Sequence, residues 1–192
     1  MEIYKRIDKN GYRLTVEYCD DTLSFNPRDW DNLGTMVCAH SKYTLGDVQD
    51  NAEAIEEIAK DKDNIVLPLY LYAHGGMRMS TMPYICTWDS GQVGIIYVSK
   101  DDIRKEYKVK RITKKIKDNV LGALSSEVET YSHHLEGNIF SFTLEKIKAC
   151  ETCNCNTEEH IDSCGGFYGY DFINNGLFDY VEPYGFTKED LL

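Results

Sequence analysis

"IVLPLYLYAHGGMRMSTMPYICTWDSGQVGIIYVSK", residues 65–100, is the stretch on which the fold turns. It reads as three successive strands, IVLPLYLYAH, RMSTMPYICTW and QVGIIYVSK, each rich in β-branched and aromatic residues. Gly75–Gly76 and the run Asp89-Ser90-Gly91 supply the turns, and an antiparallel sheet follows. Directly downstream, Ile112, Ile116, Val120, Leu124 and Val128 recur every four residues, which predicts a long helix from about Lys110 to Leu135. Upstream, two alternating runs meet at Asn10–Gly11, a pair that tolerates the positive φ of tight hairpin turns. Between them, DVQDNAEAIEEIAKDKDN spaces Ala52, Ile55, Ile58 and Ala59 as one face of an acidic, exposed helix. After the long helix, NIFSFTLEKIKAC and HIDSCGGFYGY form a second hairpin, and DFINNGLFDYVE closes the chain with a short helix. The expectation is one α+β domain over residues 1–192: an antiparallel sheet, a long helix, shorter helices, and a cysteine-rich hairpin tip at about 149–164.

The 192 residues are 42% hydrophobic and include fourteen tyrosines, a globular composition with enough apolar mass for a core. The first residues alternate charged and apolar side chains without the apolar run of an export signal. The longest apolar stretch is broken by Pro68 and is too short to cross a bilayer. These features predict a soluble, cytosolic protein with no membrane partner, whose seven cysteines serve as thiols or metal ligands rather than disulfides. A net charge of −11 repels nucleic acid and favours basic partners. Residues 100–117 depart from that balance with nine bases against three acids, readable as a solvated helix face or as a patch for something anionic.

The stretch CETCNCNTEEHIDSC, residues 150–164, holds four cysteines and a histidine. In a C-x-x-C turn two thiolates converge on one ion while backbone N–H groups hydrogen-bond the sulfurs. Cys155 adds a third ligand, and the returning strand offers His160 and Cys164. If extended, those two are separated by about 13 Å along the strand, at about 3.3 Å per residue, and do not reach one ion together. His160 lies nearer the tip, so the ligand set reads Cys150, Cys153, Cys155 and His160, with Cys164 in place of His160 as the alternative. Soft N/S donors in a closed tetrahedron select a structural Zn2+. Free thiols in a polar loop are the bland reading. Cys19, Cys38 and Cys86 lie on apolar segments and read as core residues.

A Cys/His/Asp hydrolase can be drawn from Cys38, His40, His74, Cys86, Asp89 and Ser90, because a thiolate nucleophile needs an imidazole and an orienting carboxylate. No G-x-S-x-G or H-E-x-x-H motif supports it, and strand-end histidines and a turn aspartate explain the same residues. His133 and His134, late in the long helix, read as surface or cap residues.

Taken together, DWDNLGTMVCAHSKYTLGD, the 67–100 stretch, EVETYSHHLEG and DSCGGFYG resemble a family of small proteins encoded by phages and other mobile elements of Gram-positive bacteria. Some proteins resembling this one are anti-CRISPR proteins that inhibit type II effectors, namely Cas9. The cysteine-rich tip is an addition to the family pattern. The resemblance implies a non-enzymatic protein acting in the cytoplasm of an infected bacterial host, binding Cas9 directly and blocking target-DNA loading or cleavage. Cas9 holds nucleic acid in a positively charged channel. An acidic protein is steered to such a surface, and the acids from Asp47 to Asp63, with Asp50, Glu53, Glu56 and Glu57 at their centre, form the expected contact face. The alternatives are the hydrolase above and a zinc-stabilised nucleic-acid-binding module working through residues 100–117.

Overall fold

Asn10 and Gly11 have φ of 54° and 79°, the paired left-handed conformation that a two-residue hairpin turn demands. They connect β1 (Ile3–Lys9) to β2 (Tyr12–Tyr18) in a computed structural model that describes residues 2–20, 23–149 and 156–192. The remaining elements, in chain order, begin with β3 (Thr35–Cys38), β4 (Val48–Gln49), α1 (Ala52–Lys60), β5 (Asn64–Ala73), β6 (Met77–Ser80) and β7 (Ser90–Ser99). Then come α2 (Lys100–Glu106), α3 (Lys114–Glu136), β8 (Ile139–Ala149), β9 (Asn156–Tyr168), α4 (Leu177–Val181) and α5 (Lys188–Leu191). The class is α+β, as the sequence predicts. The single expected sheet is two sheets, and the chain gathers into two compact units, residues 1–25 with 137–192 and residues 26–136.

The first unit is an antiparallel sheet in the order β1-β2-β8-β9. Alternation sends Leu14, Val16, Phe140, Phe142 and Leu144 to one face, where they meet Phe172, Leu177, Phe178, Val181, Phe186 and Leu191 from the C-terminal segment. The other face carries a polar row in which Arg13 bonds Asp8 in bidentate fashion at 2.8 Å and also reaches Glu158. The short helices α4 and α5 hold their places by inserting apolar side chains, since helices of this length have no stability of their own. A Phe or Leu truncated at these fully buried positions costs about 2–5 kcal/mol.

The second unit is a mixed sheet, order β4-β3-β7-β5-β6, with β3 and β4 parallel and every other pair antiparallel. Its two faces are both covered. Met36, Leu69, Leu71, Ile96 and Val98 face the Val120, Leu124 and Val128 stripe of α3, and Val37, Val66, Ile95 and Tyr97 face Ile55 and Ile58 of α1. Strands β3 and β7 approach closely at Gly94, where an added Cβ would stand 2.1 Å from the Val37 carbonyl oxygen. Only glycine fits there. Pro68 lies in the half of β5 that β6 does not cover, since β6 pairs only from Tyr70 to Ala73, and a residue without an N–H is tolerated at such an edge.

Two sequence expectations change here. The middle strand of the opening triplet is only Met77–Ser80, and β7 pairs with β5. Pro83 cannot donate to a ladder, so residues 81–89 leave the sheet as a loop. The long helix starts at Lys114, four residues later than predicted, because Thr113 accepts the Ile116 N–H at 3.3 Å and begins it there. No described helix is long and apolar enough to cross a membrane.

Candidate interaction surfaces

Arg28 organises one corner of the second unit. Its side chain is only 4% exposed and grips Asp47 through Nε and Nη2 at 2.8 and 2.7 Å, and Glu127 through Nη1 at 3.0 Å. Glu127 in turn accepts the Leu33 N–H at 2.9 Å, and Asp47 accepts the Met36 N–H at 2.7 Å. Burial works against the Arg28 charge, but the two carboxylates outweigh it and hold the guanidinium ionised. This network is structural. It removes Asp47 from the acidic face expected of residues 47–63, and nothing in the spacing of NPRDWDNLG announced it.

The acids of α1 stand free of that network. Asn51 caps the helix by accepting the Ala54 N–H at 3.0 Å, and Ile55 turns inward, which leaves Asp50, Glu53, Glu56 and Glu57 exposed. Glu56 pairs with Lys60 one turn on at 2.7 Å, and that contact lowers its pKa. Three of the four acids proposed for partner binding therefore share one accessible helix and Asp50 just precedes its cap, with Glu53 placed in the first turn where the helix dipole favours it.

The loop of residues 81–89 is the feature that sequence reasoning missed. Met82, Ile85 and Trp88 are 69%, 103% and 95% exposed, an unusual display of large apolar side chains on nine residues. The loop is anchored from beneath. Tyr84 lies against Tyr72 with ring centroids 5.6 Å apart, Arg78 sits over the Tyr72 ring at 5.3 Å, and Ser90 Oγ donates to the Cys86 carbonyl. A cavity of about 400 Å3 opens beside these residues, lined by Tyr72, Arg78, Tyr84 and Ile85. Pro83 was the available signal: a proline inside an apparent apolar strand marks a loop, and a loop exposes what a strand would bury.

The residues considered for catalysis separate into two places. Cys38 is fully buried toward α3, and burial, with Asp47 nearby, pushes its thiol up to about 12. His40 instead stacks on Tyr43 at 5.0 Å and accepts the Lys42 and Tyr43 N–H groups on Nδ1 at 3.2 Å each. His74, Cys86 and Asp89 do come together, but around one atom: Asp89 Oδ2 lies 3.4 Å from His74 Nδ1 and 3.7 Å from Cys86 Sγ. Thiol and imidazole thus compete for the same carboxylate oxygen instead of forming a chain from nucleophile to base to orienting group. Cys86 is exposed, against the expectation of a core residue, because it rides on the 81–89 loop. Cys19 is only partly buried. His133 and His134 are half-buried rather than superficial: His133 lies 4.0 Å from Glu136, and His134 stacks on Tyr131 with centroids 5.9 Å apart.

Of the expected zinc ligands, Cys150, Cys153 and Cys155 lie outside the described residues. His160 and Cys164 are both on β9, on different faces. Cys164 opposes Phe142 and packs with the core, whereas exposed His160 opposes Glu145, which alternates with Leu144 to the other side. Among the described residues, no three His, Cys, Asp or Glu side chains are grouped to hold a metal ion. Residues 100–117 form α2, a turn and the start of α3; on α2, Arg104 and Lys105 are paired with Asp101 and Asp102 at 2.6 and 2.8 Å. The chain matches no family model, no curated protein and no solved structure.

Proposed function

We propose that this chain is a non-enzymatic binding protein that seats the 81–89 loop on a partner protein and blocks that partner's nucleic-acid surface. The observation that carries the reading is the exposure of Met82, Ile85 and Trp88 on an anchored loop. Large apolar side chains held in water gain by burial at an interface, and tryptophan is the residue most enriched at the energetic centre of such contacts. The exposed acids Asp50, Glu53, Glu56 and Glu57 supply steering toward a basic surface. Together with the family resemblance, these features support a bacterial Cas9 as the partner, whose positively charged channel must load target DNA. The site of action is then the cytoplasm of the infected host cell, and the cysteine tip serves as a structural Zn2+ site.

Co-purification with a panel of Cas9 proteins, followed by a target-DNA binding assay, tests the proposal. Stoichiometric inhibition is expected, weakening as salt rises, because exposed charges are screened beyond about 8 Å at physiological ionic strength. The pair Ile85→Ala and Trp88→Ala should weaken binding by about 2 kcal/mol or more, roughly thirtyfold, with an unchanged melting temperature. Charge reversal of Glu53, Glu56 and Glu57 together should slow association. Full inhibition at strongly substoichiometric ratios would overturn binding as the mechanism and direct attention to the His74–Asp89–Cys86 group.

A further inference from the structure

We infer that the lysine-lined cleft at the start of α3 binds a small organic phosphate of the nucleotide class. The cleft has a volume of about 630 Å3, within the range of about 300–1,000 Å3 typical of small-ligand sites. Three segments of chain bring ammonium groups to it: Lys62 from the turn after α1, Lys100 at the start of α2, and Lys114 and Lys117 from α3. Ile112 and Leu121 give it an apolar floor.

The charges in this cleft are not balanced by the protein. Lys100 is committed, with its Nζ donating to the Lys62 carbonyl and lying 3.4 Å from Asp63 Oδ1. Lys62, Lys114 and Lys117 form no ion pair among the described residues, while Arg104 and Lys105 on the neighbouring α2 are each neutralised by an aspartate. The first turn of α3 holds no acid, so the helix dipole adds to the repulsion among these lysines. An anion relieves that repulsion, and phosphate oxygens accept several N–H bonds at once. The apolar floor selects a ligand with a flat or apolar body beside its phosphate, which describes a nucleotide and excludes a bare inorganic ion. A long nucleic-acid strand is disfavoured by the −11 charge of the chain.

The test uses the full chain alone, so its outcome is separate from any binding to Cas9. ATP, AMP, inorganic pyrophosphate and a short single-stranded oligonucleotide are titrated calorimetrically at low salt. One saturable ATP site is expected, with affinity falling about tenfold or more in the Lys114→Glu/Lys117→Glu pair through loss of charge-assisted contacts. The Lys114→Arg/Lys117→Arg pair should retain binding. Both positions are exposed, so the melting temperature should hold; should the glutamate pair fail to fold, Lys62→Glu makes the same test from another lining segment. Absence of saturable ATP binding, equal affinity for pyrophosphate, binding of the oligonucleotide alone, or an unchanged affinity in the charge-reversed protein would each overturn the inference.

Discussion

Arg28 shows how much a single side chain can fix. It joins the segment before β3, Asp47 ahead of β4, and Glu127 on the inward side of α3, all through hydrogen bonds of 2.7–3.0 Å. Replacing it by methionine keeps the volume but leaves two carboxylates and no cation in a largely dry corner. The expected loss is about 3 kcal/mol, the usual cost of stranding a buried charge, read as a lowered urea midpoint at constant m. Arg28→Lys should recover little of it, because an ammonium cannot make the bidentate contact with Asp47. Cys38 stands at the opposite extreme of reactivity. Its thiol, raised to about 12 by burial, is a packing group, and thiol reagents should modify the exposed Cys86 well before Cys38.

At the scale of elements, the β8–β9 hairpin carries the prediction about metal. Its ladder is paired from Ile139 opposite Tyr168 to Ala149 opposite Asn156, with bulges near Ser141 and Glu145. Cys150, Cys153 and Cys155 fall in the sequence between these two strands, outside the described residues. Protein purified under reducing conditions is expected to contain about one zinc per chain, and elemental analysis checks it. His160→Ala should lower bound zinc while Cys164→Ala leaves it, since Cys164 belongs to the apolar face. Substitution of Cys153 should lower the melting temperature more than substitution of Cys19, because loss of a structural metal ligand costs metal-coupled folding energy. Zinc-free protein, or equal effects of the two cysteine substitutions, would remove the site.

At the scale of the whole molecule, acid stability is governed by carboxylates that gain partners on folding. Asp190 is the clearest. Lys9 first, then the Thr187 backbone and hydroxyl, lower its pKa from 3.8 to about 2. A carboxylate depressed in the folded state stabilises above its unfolded pKa, and the contribution fades as pH falls through the folded value. The difference in stability between the native protein and Asp190→Asn should therefore be complete above about pH 4 and vanish toward about pH 2. Denaturant titrations at a series of pH values measure it. A difference that persists unchanged at pH 2 would assign the role of Asp190 to hydrogen bonding alone. The residue closes α5 by a capping box and ties it to the end of β1, so the effect belongs to the first unit.

The sequence by itself determined the α+β class, the Asn10–Gly11 hairpin, the acidic α1 and the long α3, because each follows from local rules. Period-two and period-four alternation, turn residues and capping side chains act over a few positions and are written where they act. Even there a competing local rule could win, as Thr113 did in setting the start of α3 and Pro83 in ending the strand that RMSTMPYICTW suggested. Tertiary structure alone decided the division into two sheets, the pairing of β7 with β5, the Arg28 network and the convergence of four lysines on one cleft. These join residues apart in the chain, among them the 19 positions between Arg28 and Asp47, the 37 between Asp63 and Lys100 and the 99 between Arg28 and Glu127. Such encounters depend on which apolar faces bury each other, and composition and periodicity do not encode that choice. The exposed loop follows the same logic, since Met82, Ile85 and Trp88 look like core residues until the sheet closes without them.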